Sequence, residues 1–265
     1  MRMFTNAHRV AALVFGLSAA TSSAASAATV AALQDGRTIV WIDTDQKKVT
    51  GSVTLADGAS LVGFDVRPAD GKVYGLAPDG AIVTVDVKTG AWQKVSQLSE
   101  VLPKDTGITV DFNPVADRMR VIAANGLNLL VNVADGKATV DGMLKYAPSD
   151  VAMNKTPTVA AGGYTNSMAG AKETTLYDVD TTTGTLLKQA PPNDGVLATV
   201  GGLGVKITGP MAFDVWSDGM GKSVGWLVTG GTLHTVDLMT GTATAVGPIS
   251  GLKGLITDIA ILPAR

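Results

Sequence analysis

Residues 61–97 read LVGFDVRPADGKVYGLAPDGAIVTVDVKTGAWQKVSQ, and four short strands fit between their turn residues. Leu61–Arg67 is a first strand, Pro68-Ala-Asp-Gly71 a turn and Lys72–Ala77 a second strand. Pro78-Asp79-Gly80 turns into a third, Ala81–Asp86, and Ala91–Gln97 is the fourth. Asp-Gly suits such corners because glycine, and to a lesser degree Asn or Asp, accepts the positive φ that tight hairpins demand. The third strand of this unit, ending in Asp or Asn before a turn, has four further copies. They are Thr38–Asp43, Leu127–Asn132, Thr175–Asp180 and Thr232–Asp237, and their terminal residues are 43, 46, 48 and 57 positions apart. That spacing is the period of a β-propeller blade.

The other copies fill in around these strands. The third runs Ile108–Asn113, Met119–Ala123, Leu127–Asn132 and Lys137–Val140, and the fifth Gly209–Trp216, Ser223–Thr229, Thr232–Asp237 and Thr242–Val246. The fourth is irregular, with Asp150–Asn154 read as its first strand and Thr158–Gly163 as its second. The first copy, Thr29 to Leu55, lacks a first strand, and a spare one, Leu255–Leu262, stands at the C-terminal end. The sequence thus predicts an all-β fold: a single five-bladed β-propeller with four-stranded blades. The ring closes when the C-terminal strand completes the first blade, which leaves no open sheet edge between the termini.

Residues 1–28 read as a secretory signal peptide: Arg2 and Arg9, an apolar Val10–Leu17, then small residues up to a cleavage site near Ala28. The propeller domain is then 29–265, and the exported protein is expected to be periplasmic or secreted. The apolar stretch is much shorter than the roughly 20 residues a membrane span needs, so no span is expected in the mature chain. There is no cysteine, hence no disulfide and no thiolate ligand. After cleavage 19 basic side chains stand against 23 acidic ones, a net charge of −4 without a basic cluster. A nucleic-acid partner, which requires clustered Lys and Arg against phosphates, is not expected.

Several segments together resemble a bacterial secreted family known as domain of unknown function 4394. They are Leu61-Val-Gly-Phe-Asp-Val-Arg-Pro68 with Val73-Tyr-Gly-Leu76, Val110-Asp-Phe-Asn-Pro-Val115 with Asp117-Arg118 and Arg120-Val121, and Asn128-Leu-Leu-Val-Asn132. Tyr164-Thr-Asn166, Thr175-Leu-Tyr-Asp178 and Gln189-Ala-Pro-Pro-Asn193 complete the set. The resemblance implies a propeller-like exported protein and supplies no activity.

The residue inventory closes several routes to catalysis. Beyond the signal segment there is one histidine, His234, and two glutamates, Glu100 and Glu173. A zinc or iron site built on two or three imidazoles or thiolates cannot be assembled. His234 occupies a strand position filled by Val40, Val83, Leu129 and Tyr177 in the other copies, and reads as a half-buried strand residue with a satisfied ring nitrogen. No Gly-x-Ser-x-Gly, phosphate loop or dinucleotide fingerprint is present.

Aspartate is the residue that recurs with chemical promise. Asp65, Asp111, Asp214 and Asp258 sit in first strands, with Asp150 as a fifth candidate, and first strands line the channel of a propeller. Ionised carboxylates about 7 Å apart repel by roughly 2.4 kcal/mol per pair at an effective dielectric of about 20. Backbone N–H groups holding each carboxylate inside its own blade, protons or a cation, Ca2+ for example, must offset this. The first device is the expectation, because a structural feature is copied with the blade.

A second candidate lies on loops. Tyr164–Glu173 and Lys188–Lys206, read as a second-to-third-strand loop and an inter-blade connection, share a face and carry Tyr164, Asn166, Gln189, Asn193 and Asp194. Arg67, Arg118 and Arg120 are expected to brace blade corners against Asp70 and Asp117. The Asp-x-x-Thr-Gly runs at Asp86, Asp180 and Asp237 are expected to be turn chemistry. These residues point first to a non-catalytic binding module for a small molecule, glycan or protein. One alternative is a divalent-metal hydrolase of the calcium-dependent lactonase type, with Asp65, Asp111, Asp150, Asp214 and Asp258 as its ligand pool. The other is a structural module of the envelope.

Overall fold

Every blade is built on four antiparallel strands with both faces covered, so its central strands read as near-continuous apolar runs. The computed structural model of the chain describes residues 29–262; residues 1–28, expected above to be a secretory signal, lie outside the described residues. In chain order the strands are β1 (Thr29–Gln34), β2 (Thr38–Asp43), β3 (Lys48–Thr54), β4 (Gly63–Val66), β5 (Val73–Leu76), β6 (Ala81–Val85) and β7 (Trp92–Gln97). Next come β8 (Ile108–Asn113), β9 (Arg118–Ala123), β10 (Asn128–Val131), β11 (Ala138–Val140), β12 (Lys145–Tyr146), β13 (Val159–Tyr164), β14 (Leu176–Asp180) and β15 (Thr185–Gln189). The last are β16 (Val196–Gly202), β17 (Met211–Ser217), β18 (Ser223–Thr229), β19 (Thr232–Val236), β20 (Ala243–Pro248) and β21 (Ile256–Leu262).

Five sheets result, in the orders β21-β1-β2-β3, β4-β5-β6-β7, β8-β9-β10-β11, β13-β14-β15-β16-β12 and β17-β18-β19-β20. The five-bladed ring and its closure are as the repeats predict. β21 pairs antiparallel with β1, Ala31 opposite Ala260 and Leu33 opposite Asp258. The innermost strands β21, β4, β8, β13 and β17 touch one another in a closed circle.

Strand alternation explains the cores between blades. In β1, Val30 and Ala32 pack toward the fifth blade with Ala212, Trp226 and Val228. Their neighbours Ala31 and Leu33 pack toward the second blade with Phe64, Val66 and Val83. Leu186 and Leu187 of β15 likewise divide between the fifth-blade and third-blade sides of their sheet. Each boundary between consecutive blades therefore has its own apolar core, supplied half by each neighbour.

The fourth blade departs from its predicted strands by one position. Thr158–Gly163, expected to be the second strand, belongs to the innermost strand β13, and Thr175–Asp180, expected to be the third, belongs to the second strand β14. Asp150–Asn154 lies in turns rather than a strand. Two features disguise this. β13 reads VAAGGY and lacks the aspartate of the other innermost strands. Asp180 closes its turn just as the third-strand aspartates do, by accepting the Thr182 N–H at 2.6 Å. The blade also gains β12, paired in parallel with β16 (Lys145 opposite Val196), which covers an edge the other blades leave open.

Candidate functional site

Four innermost strands place an aspartate in the channel, and each is fully or almost fully buried. One carboxylate oxygen turns back to the next residue of its own strand: Asp65 to the Val66 N–H at 2.6 Å, Asp214 to Val215 at 2.6 Å, Asp258 to Ile259 at 3.1 Å. The other oxygen crosses to the following blade. Asp258 accepts from Phe64 at 2.9 Å, Asp65 from Phe112 at 2.8 Å and Asp214 from Ile261 at 2.7 Å. Asp111 faces the Tyr164 N–H in the same sense. Backbone N–H groups thus hold the carboxylates, as their repetition implies, but not within one blade alone: the second oxygen laces four of the five blades to their successors in chain order.

Three of them also converge. Asp65, Asp111 and Asp214 each bring a carboxylate oxygen within 4.8 Å of the other two. Burial pushes all three carboxyls up, Asp214 to about 6; for Asp111 the charges of Asp65 and Asp214 add to the effect, and for Asp65 that of Asp214. Backbone N–H groups oppose the rise without cancelling it. Asp111 Oδ1 receives no N–H or hydroxyl donor, and the Asp111 carboxyl lies within hydrogen-bonding reach of that of Asp214. Asp258 is raised chiefly by burial and stands outside the converging trio. A cavity of about 440 Å³, lined by Pro68, Met168, Trp216 and Leu262 among others, reaches Asp65 and Asp214.

Asp150 does not belong to this set. It lies in the turn region before β13, where its carboxylate accepts from the Ala152 N–H and from both the N–H and hydroxyl of Thr199. Partial burial works against its ionisation, yet these hydrogen bonds hold it below its usual value. The carboxylate that the fourth blade lacks on its innermost strand stands instead on the second, at Asp178. That side chain is wholly buried, neither oxygen has a donor, and burial pushes its pKa up to about 8 against the opposing charge of Arg120. The sequence reading missed it. The signal available was the gap itself, a blade without its aspartate beside a strand with an extra one.

The predicted loop residues divide. With the strands reassigned, their two loops join first to second and third to fourth strands, so they sit at the opposite end of the blade from the one expected. Tyr164 and Gln189 are buried. The Tyr164 hydroxyl accepts from Arg120 Nε at 3.2 Å, and Oδ1 of the exposed Asn193 accepts from Arg120 Nη2 at 3.0 Å. Arg120 also donates to Asn128 at 2.8 Å and pairs with Asp141 at 2.6 Å. It is therefore a buried clamp between the third and fourth blades and braces no corner. Arg67 does brace one, paired with Asp70 at 3.0 Å and Asp117 at 2.5 Å, and Arg118 donates to the Ala116 and Asp117 carbonyls. Asp194 is exposed beside Asn193.

Asn166 stays at an accessible position. It borders an open groove of about 810 Å³ between the fourth and fifth blades, lined by Thr175, Tyr177, Ser223, Thr235, Thr242 and Thr244. His234 is buried in β19 opposite Leu227 and Ala245, and its Nδ1 lacks a partner where a satisfied ring was expected. The Asp-x-x-Thr-Gly runs are turn chemistry: Asp86 accepts from Lys88 and Thr89, and Asp237 from Met239 and Thr240. Among the described residues no helix is long and apolar enough to cross a membrane.

Fold and channel together define a five-bladed β-propeller whose blades are laced by buried carboxylates. The chain belongs to the family described as Domain of unknown function (DUF4394), whose model matches residues 38–260. No curated protein sequence matches it. Among solved structures it is similar to a structural genomics protein of unknown function from Bacteroides thetaiotaomicron, at 17% identity and a TM-score of 0.52, over 90% of this chain and 67% of that one. A protein of unknown function from Bacteroides caccae gives 10% identity and a TM-score of 0.45, over 90% and 100%. An auxiliary nutrient binding protein from Bacteroides ovatus gives 17% identity and 0.43, over 74% and 55%.

Proposed function

We propose that this protein is an exported binding module that takes a polyhydroxylated, uncharged ligand, a glycan, in the groove between the fourth and fifth blades. The signal-like residues 1–28 support export to the periplasm or beyond. The observation that carries the reading is the groove lining. Thr235 and Ser223 are half-buried and Thr242 and Thr244 exposed, so hydroxyls that both donate and accept line one wall. Tyr177 offers a half-buried ring for stacking on the other. The charges at the rim, Glu173, Lys222 and Asp237, are of mixed sign. Asp237 is already committed to its own turn. Such a lining suits sugar hydroxyls better than an ion.

A panel of immobilised glycans tests this directly. Tyr177→Ala and Thr244→Ala should weaken the best binder at least tenfold, about 1.4 kcal/mol, while the Thr244 variant melts as the wild type does. A panel without binders, or variants that bind undiminished, removes the groove as the site.

A further inference from the structure

We propose that Asp65, Asp111 and Asp214 form a cation site next to the cavity that reaches Asp65 and Asp214, and that its occupant is a single calcium ion. The site is independent of the groove and of any glycan. Calcium binds oxygen ligands at 2.3–2.6 Å, so two ligands on opposite sides of one ion stand roughly 5 Å apart. Three carboxylate oxygens mutually within 4.8 Å fit that sphere.

The second observation is Asp111 Oδ1, on a residue 4% exposed: no N–H or hydroxyl reaches it, and the Asp111 side chain is left facing the Asp214 carboxyl, with which it can only share a proton. A buried acceptor left without a partner costs stability, and a cation among the three oxygens removes that cost. The ion pairs made by Arg67 and Arg120 go elsewhere, to Asp70, Asp117 and Asp141. Asp65 and Asp214 are held rigid by two backbone N–H groups each, and every carboxylate oxygen keeps a second lone pair for a metal. The cavity reaches Asp65 and Asp214, which gives the ion a way in and leaves room for water to complete its coordination. An all-carboxylate donor set without imidazole or thiolate selects a hard cation.

The test uses the purified chain after stripping with a chelator. Calorimetric titration with CaCl2 is expected to give one equivalent bound, with a higher melting temperature in the presence of the ion. Terbium is expected to replace calcium with emission sensitised by Trp216, which lines the same cavity, and by Trp226, the cross-strand partner of Asp214. Added Ca2+ should displace it. Asp111→Asn, which keeps the shape of the side chain, is expected to weaken Ca2+ binding at least tenfold. Absence of heat, of a melting shift and of sensitised emission at 10 mM cation overturns the proposal, as does an Asp111→Asn variant that binds like the wild type. Should that variant fail to fold, the wild-type titration and terbium emission decide alone.

Discussion

Asp178 Oδ1 lies so close over Gly162 that a β-carbon at residue 162 would stand 2.5 Å from it. The two residues are cross-strand partners in β14 and β13. Glycine on the innermost strand is what gives the displaced carboxyl its room. The consequence is a proton held in the native state. Asp178 titrates at about 8 when folded and near 3.9 when unfolded. Between those values the native chain holds a proton that the unfolded chain has released. Stability from this group is therefore full below pH 4, declines by up to about 1.4 kcal/mol per pH unit, and levels off above pH 8. Asp178→Asn removes the decline: in urea unfolding its stability relative to wild type should rise steadily from pH 4 to pH 8. Parallel pH profiles for the two proteins would contradict this.

Arg120 and Asp141 are 2% and 6% exposed, so neither charge can fall back on water when the other is removed. Arg120→Met should cost about 3–5 kcal/mol, and adding Asp141→Leu should recover part of that loss. A cost below about 1 kcal/mol would refute the clamp.

The pair between Arg67 and Asp117 is the contrasting case, with side chains 23% and 37% exposed. Asp117→Asn removes the charge and keeps a residue that tolerates the local φ of 52°. Its expected cost is within about 1 kcal/mol; a larger loss would mean that this corner does more than brace.

Ile259 and Ile261 direct their N–H groups at Asp258 and Asp214. Strand alternation therefore turns the intervening Ala260 N–H toward β1. Ala260→Pro removes that bond from the seam between the chain ends and should cost about 3 kcal/mol or more. Thermal unfolding checks it; a loss under 1 kcal/mol would show that closure does not depend on this ladder.

Much of the architecture was legible because turn residues recur with the blades. Asp65, Asp111, Asp214 and Asp258 were readable as channel residues because a first strand has a fixed place in a blade. The fourth blade was not, since Gly162 and Gly163 stand where the others carry the aspartate motif and Asp180 imitates the end of a third strand. Arg120 escaped for a different reason. Its partners Asn128, Asp141, Tyr164 and Asn193 lie up to 73 residues away in sequence, and only folding gathers them. The convergence of Asp65, Asp111 and Asp214 depends on the geometry of the ring and left no trace in spacing. The groove joins Tyr177 to Thr244 across two blades and was equally invisible.

The lacing of blade to blade by carboxylates skips one boundary, because β13 has no acid to offer the fifth blade. The circle therefore has a zip with one missing tooth, and this is the joint over which the threonine-rich groove lies. A molecule seated there would rivet the two neighbours from outside, and its occupancy would then add to the mechanical integrity of the ring at this joint.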